Sequence, residues 1–268
     1  MALFQEGLKE EYMPANYVID MDGVIYLGNE ILPGAKTFID RLTKGNHRFT
    51  FLTNSSGRTP AGLQQKLSKM GIKVDIEHFF TSALATADFV SSQIPRGKAY
   101  IIGGDGLRDA LEEVGYTIAD EHVDYVIIGT TRTYNYDRME KAVKLVQEGA
   151  RLIGTNPDVT GPSEHGIIPA CGALVAPIQL VTGVHPYFVG KPNPLMMRTA
   201  LRRIGAHSAD TFMVGDRMDT DVIAGTEVGM RTILVLSGVT AREDIEAYAF
   251  RPDYVFEHVG EIPVETMA

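Results

Sequence analysis

The stretch Asp20-Met21-Asp22-Gly23 is the most informative part of the chain, because it places two carboxylates two residues apart at the end of an apolar run. Tyr17-Val18-Ile19 precedes it, and a second apolar run, Val24-Ile25-Tyr26-Leu27, follows. Side chains along a strand alternate with a period of two, so Asp20 and Asp22 start on the same side. Neighbouring carboxylates repel each other, and burying them unpaired costs several kcal/mol each. The pair therefore predicts a divalent metal and acid chemistry, although Asp-Gly alone is also a common turn signal.

Short apolar runs alternate with helix-patterned segments along the chain. Thr59-Pro60 marks the start of one such helix and Gly71 its end. Alternation of this kind implies βαβ units and a parallel sheet, hence an α/β fold. The predicted strands cover residues 17–20, 49–52, 99–102, 125–128, 152–154, 187–189, 212–214, 232–236 and 254–256.

Polar clusters that directly follow predicted strands are the candidate site residues, because ligands of parallel sheets gather at the carboxyl ends of the strands. Besides the first stretch there are three: Thr53-Asn54-Ser55-Ser56, Gly190-Lys191-Pro192 and Gly215-Asp216-Arg217-Met218-Asp219-Thr220-Asp221. Each alone has a structural interpretation as a loop or turn. Their conjunction, in this order and each at a strand end, favours a shared site.

The residue types in these clusters match the needs of phosphoryl transfer. Asp20 is the candidate nucleophile, which forms an aspartyl-phosphate and divides hydrolysis into two easier steps. Asp22 is the candidate general acid, which protonates the leaving oxygen and then activates water as a base. For the phosphate oxygens, Thr53 and Asn54 offer neutral donors and Lys191 offers a compact positive charge.

A metal site is predicted from the same clusters. Asp216 adds a carboxylate for a hard cation such as Mg²⁺, and Asp221 is expected to hold metal-bound waters. The candidate metal residues Asp20, Asp22, Asp216 and Asp221 sum to a charge of −4, whereas Lys191 and a divalent cation supply +3. Phosphate binding should therefore require the metal. The loop between the last two acids is expected to bring backbone N–H groups to the phosphate through Arg217, Met218, Asp219 and Thr220.

Composition excludes several other classes of protein. The 268 residues are 44% apolar and 22% charged, which is typical of a globular protein with one large domain or two ordinary ones. The net charge of −9 argues against a general nucleic-acid-binding surface. Cys171 is the single cysteine, so an intrachain disulfide is impossible. The sequence shows no signal-peptide core and no membrane-length apolar run, so we expect a soluble, cytoplasmic protein. It leaves a homo-oligomer open.

Two other stretches match known functional motifs only in part. Gly103-Gly104-Asp105-Gly106-Leu107-Arg108-Asp109 follows a strand and opens a helix, but it ends in Asp109 where a dinucleotide-binding loop needs glycine or alanine. Cys171 is followed six positions later by Pro177 rather than by the arginine of a cysteine phosphatase loop. We expect this cysteine to be a small buried residue.

In all four clusters, the chain resembles the haloacid dehalogenase-like superfamily of aspartate-nucleophile phosphatases. Within that superfamily, it is similar to the NagD-type nucleotide phosphatases in further stretches, among them Asp22-Gly23-Val24-Ile25-Tyr26, Gly154-Thr155-Asn156-Pro157-Asp158 and Leu234-Val235-Leu236-Ser237-Gly238-Val239. The resemblance spans about residues 17–256. It implies a Rossmann-like parallel-sheet core, Mg²⁺ as cofactor, metal contact through the backbone carbonyl of Asp22, and hydrolysis of nucleoside monophosphates such as UMP.

Other functions stay open beside nucleotide hydrolysis. The same chemistry can act on a sugar phosphate, glycerol phosphate, pyridoxal phosphate or an aryl phosphate. A phosphomutase would pass the phosphoryl group to a sugar instead of water. A non-catalytic sensor would bind a phosphorylated ligand through an inherited site, but the presence of the nucleophile, the acid, the lysine and the metal carboxylates argues against it.

The spacing of the clusters predicts an inserted domain. Only 32 residues separate Asp20 from Thr53, whereas 137 separate Thr53 from Lys191, which is enough for a domain of its own. We predict a catalytic core of residues 1–82 and 183–268, with an inserted α/β cap of residues 83–182. A cap that closes over the site would exclude water and select the substrate.

Residues of the predicted cap are candidates for recognising the part of the substrate that is not phosphate. Asn156, Asp158 and His165 lie on a loop after the predicted strand 152–154. The alternative is that Asn-Pro-Asp is an ordinary turn. Tyr134 and Tyr136 are candidates for stacking on a base, although aromatic residues in loops more often cover the edge of a core.

Overall fold

The computed structural model describes residues 15–163 and 166–267. Every strand expected from the sequence is present, and helices lie between them. The strands are β1 (Asn16–Ile19), β2 (Tyr26–Leu27), β3 (Glu30–Ile31), β4 (Phe49–Thr53), β5 (Phe79–Thr81), β6 (Lys98–Ile102), β7 (Thr117–Ile118), β8 (Tyr125–Ile128), β9 (Arg151–Gly154), β10 (Thr160–Ser163), β11 (Gly166–Pro169), β12 (Tyr187–Phe188), β13 (Thr211–Gly215), β14 (Arg231–Val235) and β15 (Tyr254–Phe256). The helices are α1 (Ala35–Lys44), α2 (Pro60–Lys69), α3 (Ser82–Gln93), α4 (Asp105–Glu113), α5 (Tyr136–Gln147), α6 (Cys171–Thr182), α7 (Pro194–Ile204) and α8 (Ile223–Glu227). None of the helices in these two ranges is long and apolar enough to cross a membrane.

The first sheet contains six parallel strands in the order β15-β14-β13-β1-β4-β5. Strand β1 pairs with β13 on one side and with β4 on the other, so that Ile19 lies opposite both Val214 and Phe51. Residues that follow these three strands therefore meet at one edge of the sheet. The Rossmann-like parallel-sheet core expected from the sequence is confirmed.

Both faces of this sheet are covered, which explains why strand β1 shows no polar alternation from Tyr17 to Ile19. All four residues of β1 are buried. Tyr17 and Ile19 pack on one face with helix α1, while Val18 packs on the other face with helices α3 and α7. A strand that is buried on both faces has no need of polar alternation.

The long insertion between Thr53 and Lys191 forms a second sheet of five parallel strands, in the order β12-β9-β8-β6-β7. Helices α4, α5 and α6 and the antiparallel hairpin β10–β11 belong to the same segment of the chain. This sheet extends past the predicted boundary at residue 182, because Tyr187–Phe188 pairs with β9. Phe188 occupies space that Gly154 leaves open, since a Cβ on Gly154 would lie 2.3 Å from the Phe188 ring. The division into a core and a cap stays a prediction.

Six short strands are not expected from the sequence, namely β2, β3, β5, β7, β10 and β11. Each has only two to four residues. Strand β5 completes the first sheet, and the hairpin β10–β11 reaches the cavity described below.

Candidate active site

The four polar clusters lie together at the carboxyl edge of the first sheet. Asp20 follows β1, Thr53 ends β4, and Asp216 follows β13. They line a cavity of about 310 Å³ that residues of the insertion also line. Of the predicted site residues, those that line it are Asp20, Asp22, Thr53, Asn54, Asn156, Asp158, Lys191, Asp216, Arg217 and Thr220.

The ammonium group of Lys191 is buried between two carboxylates. Its Nζ lies 2.7 Å from Asp20 Oδ1 and 2.7 Å from Asp221 Oδ1. Burial lowers the pKa of Lys191, but the charges of Asp20 and Asp221 outweigh burial and raise this pKa above its usual range. The lysine therefore stays charged at neutral pH and holds one oxygen of the candidate nucleophile.

Asp221 anchors the loop that follows β13. Its Oδ1 is bound to Lys191, and its Oδ2 accepts hydrogen bonds from the backbone N–H groups of Asp216 (3.2 Å) and Arg217 (3.1 Å). The side chain is fully buried and does not line the cavity. Both oxygens of this predicted metal residue are thus engaged with protein donors, which suits it to orienting other groups.

Three carboxylates have the composition of a site for a hard cation. Asp20, Asp216 and Asp221 offer oxygens that lie within 4.8 Å of one another. Asp216 Oδ2 accepts a hydrogen bond from Val239 N at 2.8 Å. Burial, followed by the charge of Asp221, raises the pKa of Asp216 to about 7, and burial also raises the pKa of Asp20 well above its usual range. One lysine does not neutralise three acids, so this donor set fits a divalent cation that prefers oxygen ligands.

Asp22 lies outside that three-carboxylate group but lines the same cavity. Its Oδ2 lies 3.4 Å from the hydroxyl group of Tyr26, which donates to it. The Lys66 ammonium sits 3.4 Å from the centre of the Tyr26 ring. Burial raises the pKa of Asp22, and the charge of Lys66 only partly offsets this effect. A raised pKa makes a carboxyl group a better candidate for a general acid, because it holds its proton to a higher pH than a free aspartate does.

Gly23 is required for close packing beside Asp216. Its φ of +78° lies in the left-handed region, which favours glycine. A Cβ at this position would lie 2.4 Å from Asp216 Oδ2. The glycine after the two aspartates therefore lets the turn pass directly over the candidate metal site.

Thr53 and Asn54 differ in what they offer to a phosphate. Thr53 Oγ1 accepts a hydrogen bond from Ser55 N at 3.0 Å, and its own hydroxyl hydrogen remains to be donated. Asn54 Nδ2 donates to Asp158 Oδ2 (3.0 Å) and to the backbone carbonyl of Lys191 (3.1 Å). Both amide hydrogens are then engaged, which leaves none for a phosphate oxygen.

Only part of the predicted loop after β13 reaches the cavity. Arg217 and Thr220 line it, whereas the Met218 side chain is fully buried in a hydrophobic cluster. Asp219 forms two hydrogen bonds with the Arg217 guanidinium, at 2.9 and 2.8 Å, and these bonds hold the pKa of Asp219 below its usual range. Met218–Val222 form a single π-helical turn, in which Met218 packs into the hydrophobic cluster while Thr220 lines the cavity.

Only some of the predicted cap residues line the cavity. Asn156 and Asp158 line the cavity, and burial raises the pKa of Asp158. Tyr134 packs on the hydrophobic cluster of the second sheet, and Tyr136 is exposed, so neither lines the cavity. His165 lies outside the described residues.

Several residues of the cavity wall lie outside the four predicted clusters. They come from the β2–β3 hairpin, the loop after β8, the β10–β11 hairpin and the loop after β14, and they are Leu27, Thr130, Thr160, Gly161, Ile168, Pro169, Ala170, Gly238 and Val239. Gly238 and Val239 lie in a stretch already noted for its resemblance to NagD-type phosphatases. For the others, only the folded chain shows the position.

Comparison with known proteins agrees with this site. The family model described as haloacid dehalogenase-like hydrolase matches residues 17–117, and the one described as HAD-hydrolase-like matches residues 188–262. A dihydroxyacetone phosphatase of Corynebacterium glutamicum is 47% identical over 92% of this chain and 90% of its own length. An acid sugar phosphatase of Staphylococcus aureus is 43% identical over 93% of this chain and 96% of its own.

A solved structure gives the same result. The ribonucleotide monophosphatase NagD of Escherichia coli is 43% identical over 93% of this chain and 98% of its own length. Its structure superposes with a TM-score of 0.88 at 42% identity, covering 94% of this chain and 99% of that one. The chain therefore belongs to the haloacid dehalogenase-like hydrolases, among their NagD-type phosphatases, and it is a phosphoric monoester hydrolase. The names of the three relatives specify different substrates.

Proposed function

We propose that the protein is a Mg²⁺-dependent phosphomonoesterase that works through an aspartyl-phosphate on Asp20. One observation carries the proposal: the Asp20 carboxylate lines the cavity while a buried lysine, 2.7 Å away, holds one of its oxygens. That arrangement leaves the other oxygen of Asp20 to attack a phosphorus atom. Attack breaks the ester bond, and the leaving oxygen takes the proton of Asp22. Water then attacks the aspartyl-phosphate and gives its proton back to Asp22.

The remaining residues bind and orient the phosphoryl group. Lys191 and the Thr53 hydroxyl supply donors for its oxygens. Asp20 and Asp216 supply carboxylate oxygens for Mg²⁺, and Asp221 orients the residues around them. A bound Mg²⁺ would offset the negative charge of the phosphoryl group and of the carboxylates. Chelation should therefore abolish turnover, and added Mg²⁺ should restore it.

As substrates we propose phosphate esters of triose to sugar size. The insertion contributes Thr130, Asn156, Asp158 and Thr160 to the cavity wall, and these are hydrogen-bonding partners for hydroxyl and carbonyl groups. No aromatic side chain is among the described residues of that wall, so a nucleobase would lack a stacking partner there. The similarity to dihydroxyacetone phosphatase and acid sugar phosphatase supports this choice.

Nucleoside monophosphates such as UMP, the first expectation from the family resemblance, are the second candidate. The similarity to the ribonucleotide monophosphatase NagD favours them. A kinetic panel of dihydroxyacetone phosphate, glycerol phosphate, a hexose phosphate, pyridoxal phosphate, UMP and 4-nitrophenyl phosphate separates the two. We expect kcat/KM to be highest for a triose or sugar phosphate. A value for UMP above all of these would establish the nucleotide as substrate.

Two isosteric variants test the mechanism. Asp20→Asn should lose the nucleophile and with it all measurable turnover. Asp22→Asn should release about one equivalent of nitrophenolate from 4-nitrophenyl phosphate in a burst and then stall, because that leaving group needs no proton but the second step still lacks its base. With glycerol phosphate the same variant should show no burst. Normal turnover by Asp20→Asn would exclude the proposed intermediate.

A further inference from the structure

Asn54 stands where three segments of the chain meet: the end of β4, the loop that carries Lys191, and the loop of the insertion that carries Asp158. We propose that Asn54 is a positioning residue whose amide holds Lys191 against Asp20 and ties it to Asp158. Catalysis would then depend on the loop of the insertion that faces the substrate. The inference rests on the proposed roles of Asp20 and Lys191.

The side chain of Asn54 binds both backbone groups of a single residue. Its Oδ1 accepts a hydrogen bond from Lys191 N at 2.8 Å, and its Nδ2 donates to Lys191 O at 3.1 Å. Two bonds to one residue fix both the position and the tilt of its backbone. The Lys191 side chain starts from that backbone and ends 2.7 Å from Asp20 Oδ1. Asn54 thereby controls the origin of the side chain that holds the nucleophile.

The same asparagine is bound to the insertion by two further contacts. Its Nδ2 donates to Asp158 Oδ2 at 3.0 Å, and its backbone carbonyl accepts a hydrogen bond from Asn156 Nδ2 at 2.7 Å. Asn156 Oδ1 in turn accepts from Asp158 N at 3.1 Å, which shapes this loop as one unit. Movement of the loop is therefore passed directly to Asn54.

The amide of Asn54 fits closely against Gly190. A Cβ on Gly190 would lie 2.6 Å from Asn54 Oδ1, so the glycine before Lys191 is what admits the amide. Ser82 Oγ also donates to the Asn54 carbonyl, at 2.7 Å. The Asn54 amide thus accepts one hydrogen bond through Oδ1 and donates two through Nδ2, so neither of its hydrogens is left for solvent or substrate.

A continuous chain of contacts results, from Asp158 through Asn54 and Lys191 to Asp20. Asp158 lines the cavity and uses Oδ2 for Asn54, so a substrate hydroxyl group that binds Asp158 acts on the first member of the chain. The chain ends on the nucleophile. Because Asn54 acts on the nucleophile through Lys191, its replacement should change the rate of the chemical step more than the affinity for the substrate.

An exchange of donor and acceptor tests the proposal, with 4-nitrophenyl phosphate as the substrate. In Asn54→Asp, the new carboxylate still accepts a hydrogen bond from Lys191 N. It cannot donate to Asp158 Oδ2 or to Lys191 O, and it repels the Asp158 carboxylate. We expect kcat to fall about 10- to 100-fold with KM changed less than about threefold. In Asn54→Asp/Asp158→Asn, the amide of the new asparagine again donates to the new carboxylate. This double variant restores the bond to position 158 but not the bond to Lys191 O, so kcat should recover by roughly half of its loss on a logarithmic scale.

Asn193→Asp is the matched control. Asn193 lies near Lys191 in sequence. Its Oδ1 caps helix α7 by accepting from Leu195 N at 2.9 Å, and its Nδ2 donates to Phe188 O at 2.7 Å, so Asn193→Asp also removes a donor from a backbone carbonyl but touches no bond to Lys191 or Asp158. The same chemical change there should leave kcat within about twofold of the wild-type value. A fall in kcat in the control as large as that in Asn54→Asp would show that any added carboxylate near this loop acts alike, and it would overturn the proposal.

Three results decide between the inference and the function on which it rests. Rescue by the double variant supports the chain of contacts. An equal loss of kcat in Asn54→Asp and in the double variant, with Asp20→Asn inactive, overturns the proposed chain of contacts but agrees with the proposed catalytic mechanism. Turnover by Asp20→Asn overturns both. Should Asn54→Asp not fold, Asn54→Ala and Asp158→Ala take its place: losses of kcat that do not add in the double variant support the chain, and additive losses refute it.

Discussion

Replacement of Lys191 by methionine should both unfold the protein more easily and stop catalysis. Methionine keeps most of the length of the side chain but removes the ammonium group. That group is 2% exposed and lies 2.7 Å from a carboxylate oxygen of Asp20 and of Asp221. The change therefore leaves two buried carboxylates without their shared cation, while the packing of the aliphatic stem is largely retained.

The magnitude follows from the two contacts. At the effective dielectric constant of about 20 that suits protein sites, two unit charges 2.7 Å apart attract by roughly 6 kcal/mol. Desolvation of the three groups opposes this gain. The charges of Asp20 and Asp221 outweigh burial at Lys191 and raise its pKa, whereas at Asp20 burial outweighs the charge of Lys191 and raises the pKa of that carboxyl group, so the full Coulomb attraction is not the net stabilisation. Removal of one member of a buried pair costs about 3–5 kcal/mol, and with two partners we expect about 5 kcal/mol at pH 8.

The assay is urea unfolding of both proteins in EDTA at pH 5 and pH 8, with Lys69→Met, an exposed lysine of helix α2, as control. The folded pKa of Lys191 lies above its ordinary value of 10.5, so its contribution is complete throughout this range and is lost only at higher pH. In the variant, the carboxylates protonate more readily, so the loss should be smaller at pH 5 than at pH 8. The control should differ from the wild type by less than about 0.5 kcal/mol. A loss below about 1 kcal/mol at pH 8 would refute the reasoning.

Two further predictions concern the metal residues. Burial raises the pKa of Asp216 from 3.8 to about 7, so the folded protein keeps a proton that the unfolded chain releases. The free energy of unfolding of the metal-free protein should therefore fall as the pH rises from about 4 to 7, and it should level off above pH 7. The affinity for Mg²⁺ should weaken below about pH 7, where the Asp216 carboxyl group is protonated. Calorimetric titration with Mg²⁺ at several pH values measures this affinity. An unchanged affinity at pH 5 would contradict the prediction. Gly23→Ala should weaken Mg²⁺ binding at least about tenfold, because its Cβ would lie 2.4 Å from Asp216 Oδ2. Gly28→Ala has a φ of +60° but no neighbour within 4 Å, so it should cost only the strain of about 1–2 kcal/mol and leave Mg²⁺ binding intact; equal Mg²⁺ affinities in the two variants would contradict the close-packing argument.

The sequence predicts the nucleophile edge of the site well, for a physical reason. Parallel neighbours in one sheet place their carboxyl ends together, so polar residues after β1, β4 and β13 must meet once these strands are adjacent. The period of two along β1 and the absence of polar alternation are both visible in the sequence. The position of Asp20, Thr53 and Asp216 around one cavity therefore follows from local patterns and one topological rule.

Contacts between distant segments do not follow from such patterns. Asn54 binds Asp158 and Lys191, which are 104 and 137 positions away. Nothing local to Asn54 distinguishes an amide that clamps a backbone from one that binds phosphate. For the same reason the two-residue strand β12 gave no sign that it pairs with β9, and the wall formed by the β10–β11 hairpin could not be predicted.

The arrangement around Lys191 explains how one lysine can serve both the resting site and the proposed intermediate. Its Nζ is shared by Asp20 and Asp221, and Asp221 is in turn fixed by the backbone N–H groups of Asp216 and Arg217. Asp221 is not altered by the reaction, whereas Asp20 loses its negative charge when it is phosphorylated. The ammonium would then keep Asp221 as its anchor and turn its other hydrogens to the phosphoryl oxygens, 2.7 Å being the length of a strong charged hydrogen bond. Because Asp221 keeps its charge and its two backbone hydrogen bonds during this step, the ammonium would stay in place while its other contact changes from the Asp20 carboxylate to the phosphoryl oxygens.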